Sequence, residues 1–153
     1  MMDEIDRGIL MQLQLDAKQN TKEIAAKVGL TATPTYERIK KLESQNVIEA
    51  YVAILDRSKV GKNLVAFCQV TLLKHQKELI ESFQYQVSCM PEILECHHVS
   101  GNFDFLLKVA ADDIKGFHEF VNGKLSVLEE ISTIHSSFVM NSVKDSTVYD
   151  LIS

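Results

Sequence analysis

At 153 residues the chain has room for one domain or for two small ones, each able to bury a core of its own. Its composition, 46% hydrophobic and 24% charged, is that of a soluble globular protein; no stretch is long and apolar enough to span a bilayer, which excludes a transmembrane helix, and the start Met1, Met2, Asp3, Glu4 is unlike a secretory signal, so a cytoplasmic location is expected. The net charge of −5 argues against a general nucleic-acid coat, but the excess lies wholly in the second half: residues 1–60 carry nine Lys/Arg against nine Asp/Glu, and residues 61–153 seven against twelve.

Asp3 is placed to cap a first helix in which Ile5, Ile9 and Leu13 recur every fourth position, with Asp6 three residues after the cap and residues 18–20 closing it. A second helix is expected to start at Thr21 as N-cap, with Glu23 near the positive helix end, Ile24 and Val28 on one face, and Gly29 as the stop. A third follows almost at once. Thr31 would cap it, Pro34 lies in the first turn where its missing N–H costs little, and Ile39 and Leu42 face inward. Beyond Glu43 the pattern turns strand-like over residues 47–55, and residues 56–63, polar and containing Gly61, read as a linker. The expected division is a helical domain over 1–50, a strand and linker over 51–63, and a second domain over 64–153.

In that second domain residues 64–73 form a strand with Ala66, Cys68, Val70 and Leu72 on one side. Residues 76–89 form an amphipathic helix with Leu79, Phe83 and Val87 in line, ended by Pro91. Strands over 93–100 and 105–110 are joined by the turn Gly101, Asn102, Phe103, Asp104. Ile114, Phe117, Val121, Leu125 and Leu128 outline a second helix, residues 131–140 a last strand, and from Asn141 the chain is a polar, extended tail. The order βαββαβ is that of a ferredoxin-like α+β domain, an antiparallel sheet with both helices on one face. The other face must be covered, and a second copy of the chain is the obvious cover, so a homodimer is expected.

Within residues 21–41, Lys22, Lys27, Arg38, Lys40 and Lys41 face only Glu23 and Glu37, a local excess of three positive charges and a modest footprint for phosphates. Two helices joined by a tight Gly turn fit a helix-turn-helix whose second helix enters the major groove. Thr21, Lys22, Thr31, Thr33, Thr35, Tyr36, Arg38, Lys40 and Lys41 are the candidate contacts: hydroxyls for phosphates or base edges, Arg38 for a phosphate or the O6/N7 edge of guanine, Lys40 and Lys41 for phosphates. On periodicity alone, a plain three-helix bundle with a solvated polar face explains the same residues. Likewise the Gly101–Asp104 stretch is an ordinary hairpin turn, although Gly101 would let backbone N–H groups approach a carboxylate and Asp104 could pair with an ammonium.

The run from Val28 through Gly29-Leu30-Thr31, Thr33-Pro34, Arg38-Ile39-Lys40-Lys41-Leu42-Glu43 and on to Val47-Ile48 resembles the recognition segment of the Lrp/AsnC family of transcription regulators. One departure is Asn46, where the family usually has Gly; Asn tolerates the left-handed geometry of a helix end. The second half, with Ser100-Gly101-Asn102-Phe103-Asp104-Phe105, is similar to the family's effector domain, so the resemblance covers nearly the whole chain. It implies a winged-type helix-turn-helix followed by a ferredoxin-like sensor, double-stranded DNA and a small-molecule amino acid as partners, and dimers assembling further, to an octamer. It also implies effector contacts from Ser100, Gly101, Asn102, Phe103 and Asp104 at a subunit interface, completed by Ser136, Ser137 and Phe138, with His98 beside them.

The three cysteines, Cys68, Cys89 and Cys96, are odd in number and irregular in spacing, as reduced thiols rather than a disulfide framework. Cys89, Cys96, His97 and His98 lack the paired short spacings of a structural zinc site, so no metal is expected. His75, His118 and His135 are scattered, and neither a nucleophile-base order nor a phosphate loop occurs. The rival reading, a ferredoxin-like enzyme or metabolite-binding module whose N-terminal helices hold a protein partner, therefore has no catalytic constellation behind it, and neither enzyme activity nor a cofactor is expected.

Overall fold

The computed structural model of the chain describes residues 2–151. They divide into two compact units, one running to Ile54 and resuming at Val143, the other from Leu55 to Ser142.

The first unit holds three helices. In α1 (Glu4–Leu15) the Asp3 carboxylate accepts the Asp6 N–H at 2.8 Å and Asp6 accepts the Asp3 N–H at 3.3 Å, a reciprocal capping box. The cap of α2 (Thr21–Val28) is Asn20, not Thr21: Asn20 accepts the Glu23 N–H at 3.0 Å and Glu23 accepts that of Asn20 at 2.9 Å. Thr21 is displaced because Asn20 has an acid at the third helical position and Thr21 does not. Gly29 ends α2 with φ +72°, and α3 (Ala32–Ser44) begins after Thr31, whose side chain makes no capping bond. Asn46 takes φ +54°, and the Val47 N–H returns to the Leu42 carbonyl at 2.9 Å. Ile9, Leu10, Ile24, Ile39 and Leu42 form the core, and Leu151 packs on it. The tail also clamps α1, since Gln14 donates to the Tyr149 carbonyl at 3.0 Å and accepts the Tyr149 N–H at 2.7 Å.

The strand expected over residues 47–55 does not form, so this unit has no wing among the described residues. A strand needs a neighbour to satisfy its N–H and C=O groups, and every ladder among the described residues lies in the second unit. Tyr51, Val52, Ile54 and Leu55 are left exposed instead.

The second unit is built on β1 (Leu64–Leu72), α4 (Lys77–Ser88), β2 (Ile93–His98), β3 (Phe105–Ala111), α5 (Ile114–Phe120) and β4 (Ile131–Phe138), with sheet order β2-β3-β1-β4 and antiparallel neighbours throughout. This is the ferredoxin-like arrangement. Ala66, Cys68, Val70 and Leu72 of β1 and Phe105, Leu107 and Val109 of β3 meet Phe83 and Val87 of α4 and Phe117 and Phe120 of α5, so both helices lie on one face. The other face presents Phe67, Leu106 and a charged trio in which Glu95 pairs with Lys108 at 2.8 Å and His97 at 3.2 Å.

The second helix of this unit is shorter than expected. It ends at Phe120 and gives way to a five-residue π turn, Val121–Leu125, with the Ser126 N–H bonded to the Val121 carbonyl at 2.7 Å. The buried residues show why: Phe120 and Leu125 both point inward, a spacing of five that a π turn supplies, whereas Ile114 stays exposed. No helix among the described residues is long and apolar enough to cross a membrane.

Candidate nucleic-acid interface and ligand region

The outward stripe of α3 is formed by Thr33, Tyr36, Glu37, Lys40 and Lys41, all exposed, opposite the buried Thr35, Ile39 and Leu42. Thr31 is exposed just before it; on α2, Lys22 is exposed and Thr21 half-buried. Lys40 is drawn to Glu43 at 2.7 Å and lies 5.7 Å from the centre of the Tyr36 ring. Its hydrogen bond to Glu43 raises its pKa. Burial and the neighbouring Glu43 push the Tyr51 hydroxyl up to about 12, so it stays a donor, 3.0 Å from Glu43. Lys22 and Lys41 make no ion pair among the described residues. These free ammonium groups on α2 and α3, with the exposed hydroxyls of α3, are suited to phosphates and base edges.

Two expected contacts are not on that stripe. Thr35 is fully buried and donates its hydroxyl to the Thr31 carbonyl at 2.9 Å, which removes it from any duplex; it falls four residues before Ile39, on the core side. Arg38 turns toward α1, its Nη1 donating to Asp3 at 2.8 Å and Asp6 at 2.6 Å. These bonds raise the Arg38 pKa, and the Asp6 N–H together with Arg38 lowers that of Asp3. Spacing of α3 alone could not reveal Arg38's partners, which lie 32 and 35 residues away.

In the second unit, Gly101 takes φ +140° in the turn between β2 and β3, with Ser100 and Asn102 exposed and Phe103 half-buried. Asp104 already holds partners of its own chain on both oxygens. Its Oδ2 accepts the Leu72 N–H at 2.7 Å, its Oδ1 lies 2.7 Å from His75 Nε2, and its own N–H donates to the Val70 carbonyl at 2.9 Å. Partial burial disfavours the charged form, but the Leu72 N–H and His75 outweigh it and hold the Asp104 pKa below the usual carboxylate range. The sequence gives no signal for His75 at this carboxylate, because the contact joins residues 29 apart across a sheet end. His98 stacks on Phe105 with ring centres 4.6 Å apart.

Ser136, Ser137 and Phe138 do not join this group. Two strands separate β4 from β2, an offset of about 14 Å across the sheet at ordinary strand spacing. The register widens the gap: Phe105 lies opposite Val70 and Val70 opposite Ile134, so residues 136–138 sit further along β4, away from the turn. Ser136 Oγ lies 3.4 Å from the buried Cys68 Sγ, Phe138 packs edge-on against Phe117 at 5.0 Å, and Ser137 points to the opposite face. Cys96 and His98 do share one face, but the described residues hold no group of three His, Cys, Asp or Glu fit to bind a metal.

Residues 2–43 match the AsnC-type helix-turn-helix domain, and residues 65–149 match the Lrp/AsnC ligand binding domain. The leucine-responsive regulatory proteins of Escherichia coli and Salmonella typhimurium are each 36% identical to this chain over 145 residues, 95% of its length and 88% of theirs. A transcriptional regulator of Neisseria meningitidis, solved as a complex with L-Met, has the same fold at a TM-score of 0.95 and 30% identity, covering 99% of this chain and 97% of its own. An AsnC family transcriptional regulator of Agrobacterium tumefaciens gives 0.94 and 36%, covering 98% and 97%.

Proposed function

The chain belongs to the Lrp/AsnC family of transcription regulators, and from that premise we propose that α3 lies in the major groove of an operator, with Thr31, Thr33 and Tyr36 toward base edges and Thr21, Lys22, Lys40 and Lys41 toward phosphates. The observation that carries this reading is the outward stripe of α3, which joins hydroxyls to an unpaired Lys41 and contains no large aliphatic side chain. The effector is an amino acid, a reading supported by the ligand-binding domain match and by the L-Met held by the Neisseria relative. In this reading His98, Ser100, Gly101, Asn102 and Phe103 line one side of its pocket, and Asp104 shapes the turn.

A second copy is part of the proposal. Ser136, Ser137 and Phe138 stand too far from the turn of their own chain to share a small ligand with it, and reach one only from a partner. The half-apolar sheet face around Phe67 and Leu106 and the exposed segment 51–55 favour a homodimer, which spaces two recognition helices as a two-fold operator requires. Dimers that assemble further, to an octamer, would bend the DNA they hold. The protein would act in the cytoplasm, where DNA and free amino acids meet.

A mobility shift on the DNA upstream of the chain's own coding sequence, at several salt concentrations, tests the first part. The expected result is a complex that survives competition by unrelated duplex; a complex indifferent to sequence would refute it. Thermal shift against the twenty amino acids tests the second, because a ligand that binds the native state raises the melting point.

A further inference from the structure

Position 38 lies three residues after the buried Thr35 and four before the buried Leu42, so on α3 it belongs to the flank that faces α1 and not to the outward stripe. There its guanidinium bridges the two carboxylates of the α1 capping box. Asp6 is the inner partner, its side chain 7% exposed, with one oxygen on Arg38 and the other on the Asp3 N–H; Asp3 is the outer partner at 51%. One charged cluster therefore caps the start of α1 and holds α3. The first turn of α3 has no side-chain cap of its own. A half-buried ion pair adds little net stability, but it penalises every arrangement that separates the charges, which makes it a device for orientation.

We propose that Arg38 is a positioning residue for DNA recognition: by clasping Asp3 and Asp6 it sets the rotation and tilt of α3 at which Thr33, Tyr36 and Lys41 meet the groove, and it does not touch DNA. The inference rests on the reading of α3 as the groove-entering helix. It has a consequence opposite in sign to simple electrostatics. Removing the negative charge of Asp6 from a DNA-binding unit should tighten binding to a polyanion; if the clasp orients α3, the same change loosens specific binding.

The test uses the full chain with Asp3→Asn, Asp6→Asn, Arg38→Gln and the Asp6→Asn/Arg38→Gln double variant, each checked by far-UV circular dichroism. Dissociation constants are measured on the upstream duplex and on a scrambled duplex of equal length over a series of salt concentrations. We expect Asp6→Asn and Arg38→Gln each to weaken the specific complex about tenfold while the scrambled duplex changes by less than about twofold, because misorientation costs only contacts that depend on register. A partly unfolded protein would weaken both alike. The double variant should be no worse than the weaker single variant, and the slope of log K against log salt should stay at the wild-type value. A slope reduced by about 0.9 for Arg38→Gln marks a direct phosphate contact and overturns the proposal. So does binding by either aspartate variant as tight as wild type or tighter; Asp3→Asn, which keeps a capping side chain, decides this if the inner variants fail to fold. If wild type itself does not discriminate the two duplexes, the groove reading has failed, and the clasp has no recognition to position.

Discussion

Replacing Asp104 with Ala removes an acceptor that no neighbouring strand can supply. The last β1–β3 partners are Val70 and Phe105, and the β1–β4 register shifts between Thr71 and Leu72, so the Leu72 N–H lies beyond one ladder and at the break of the other. Asp104 Oδ2, 2.7 Å away, takes the place of a strand carbonyl. Leu72 is 3% exposed, so water cannot fully replace the carboxylate, and an orphaned buried N–H costs about 1–3 kcal/mol. The bond to His75 adds little because that ring is largely exposed, within the range of about 0–1 kcal/mol for surface pairs. Asp104→Asn keeps an oxygen for Leu72 and loses the charge, and should cost about 1 kcal/mol. Urea unfolding of the three proteins checks the order wild type, Asn, Ala, and hydrogen exchange at the Leu72 amide checks the cause. The pH dependence has a definite sign. With the folded pKa depressed, the stabilisation is complete above the unfolded value of about 4 and is lost as pH falls through the lower folded value, so the gap between wild type and Asp104→Asn closes only in acid. An Ala variant that unfolds with wild type, its Leu72 amide exchanging no faster, would refute the reasoning.

Lys41→Ala, if that side chain meets a phosphate, should weaken specific and scrambled duplexes alike and lower the salt slope by about 0.9, read from the same binding series. Asn46→Ala should lower stability by about 1 kcal/mol in thermal melts, because Ala resists the φ of +54° that Asn46 adopts, whereas Asn46→Gly should match wild type or exceed it. Phe83→Ala, at a fully buried ring 4.7 Å from Phe105, should cost about 3–5 kcal/mol in urea unfolding and leave the helical unit's circular dichroism in place.

What the sequence made legible is what local chemistry decides. Asp3 with Asp6, Gly29 and the left-handed Asn46 mark helix ends through bonds that span a few residues, and the alternation of Ala66, Cys68, Val70 and Leu72 announces β1 before any partner is known. Two local rules still misled: Thr21 looked like a cap beside a better-placed Asn20, and Thr35 looked like a polar contact although its position in the turn faces the core. The remaining differences come from long-range pairing. No periodicity reveals that residues 47–55 have no strand neighbour within one chain, that Arg38 meets Asp6, or that β4 lies at the sheet edge away from the Gly101 turn. The candidate site was therefore readable as a list of residues and not as a geometry.

The clamp between Gln14 and Tyr149 has a consequence for synthesis. Its two halves stand 135 residues apart, so while α1 emerges from the ribosome its tail-side partner does not yet exist. At about 5–20 residues per second the helices wait roughly ten seconds for it. The helical unit is thus completed only after the ferredoxin-like unit has been made, and a nick or premature stop after β4 removes a contact from α1, 135 residues away in sequence.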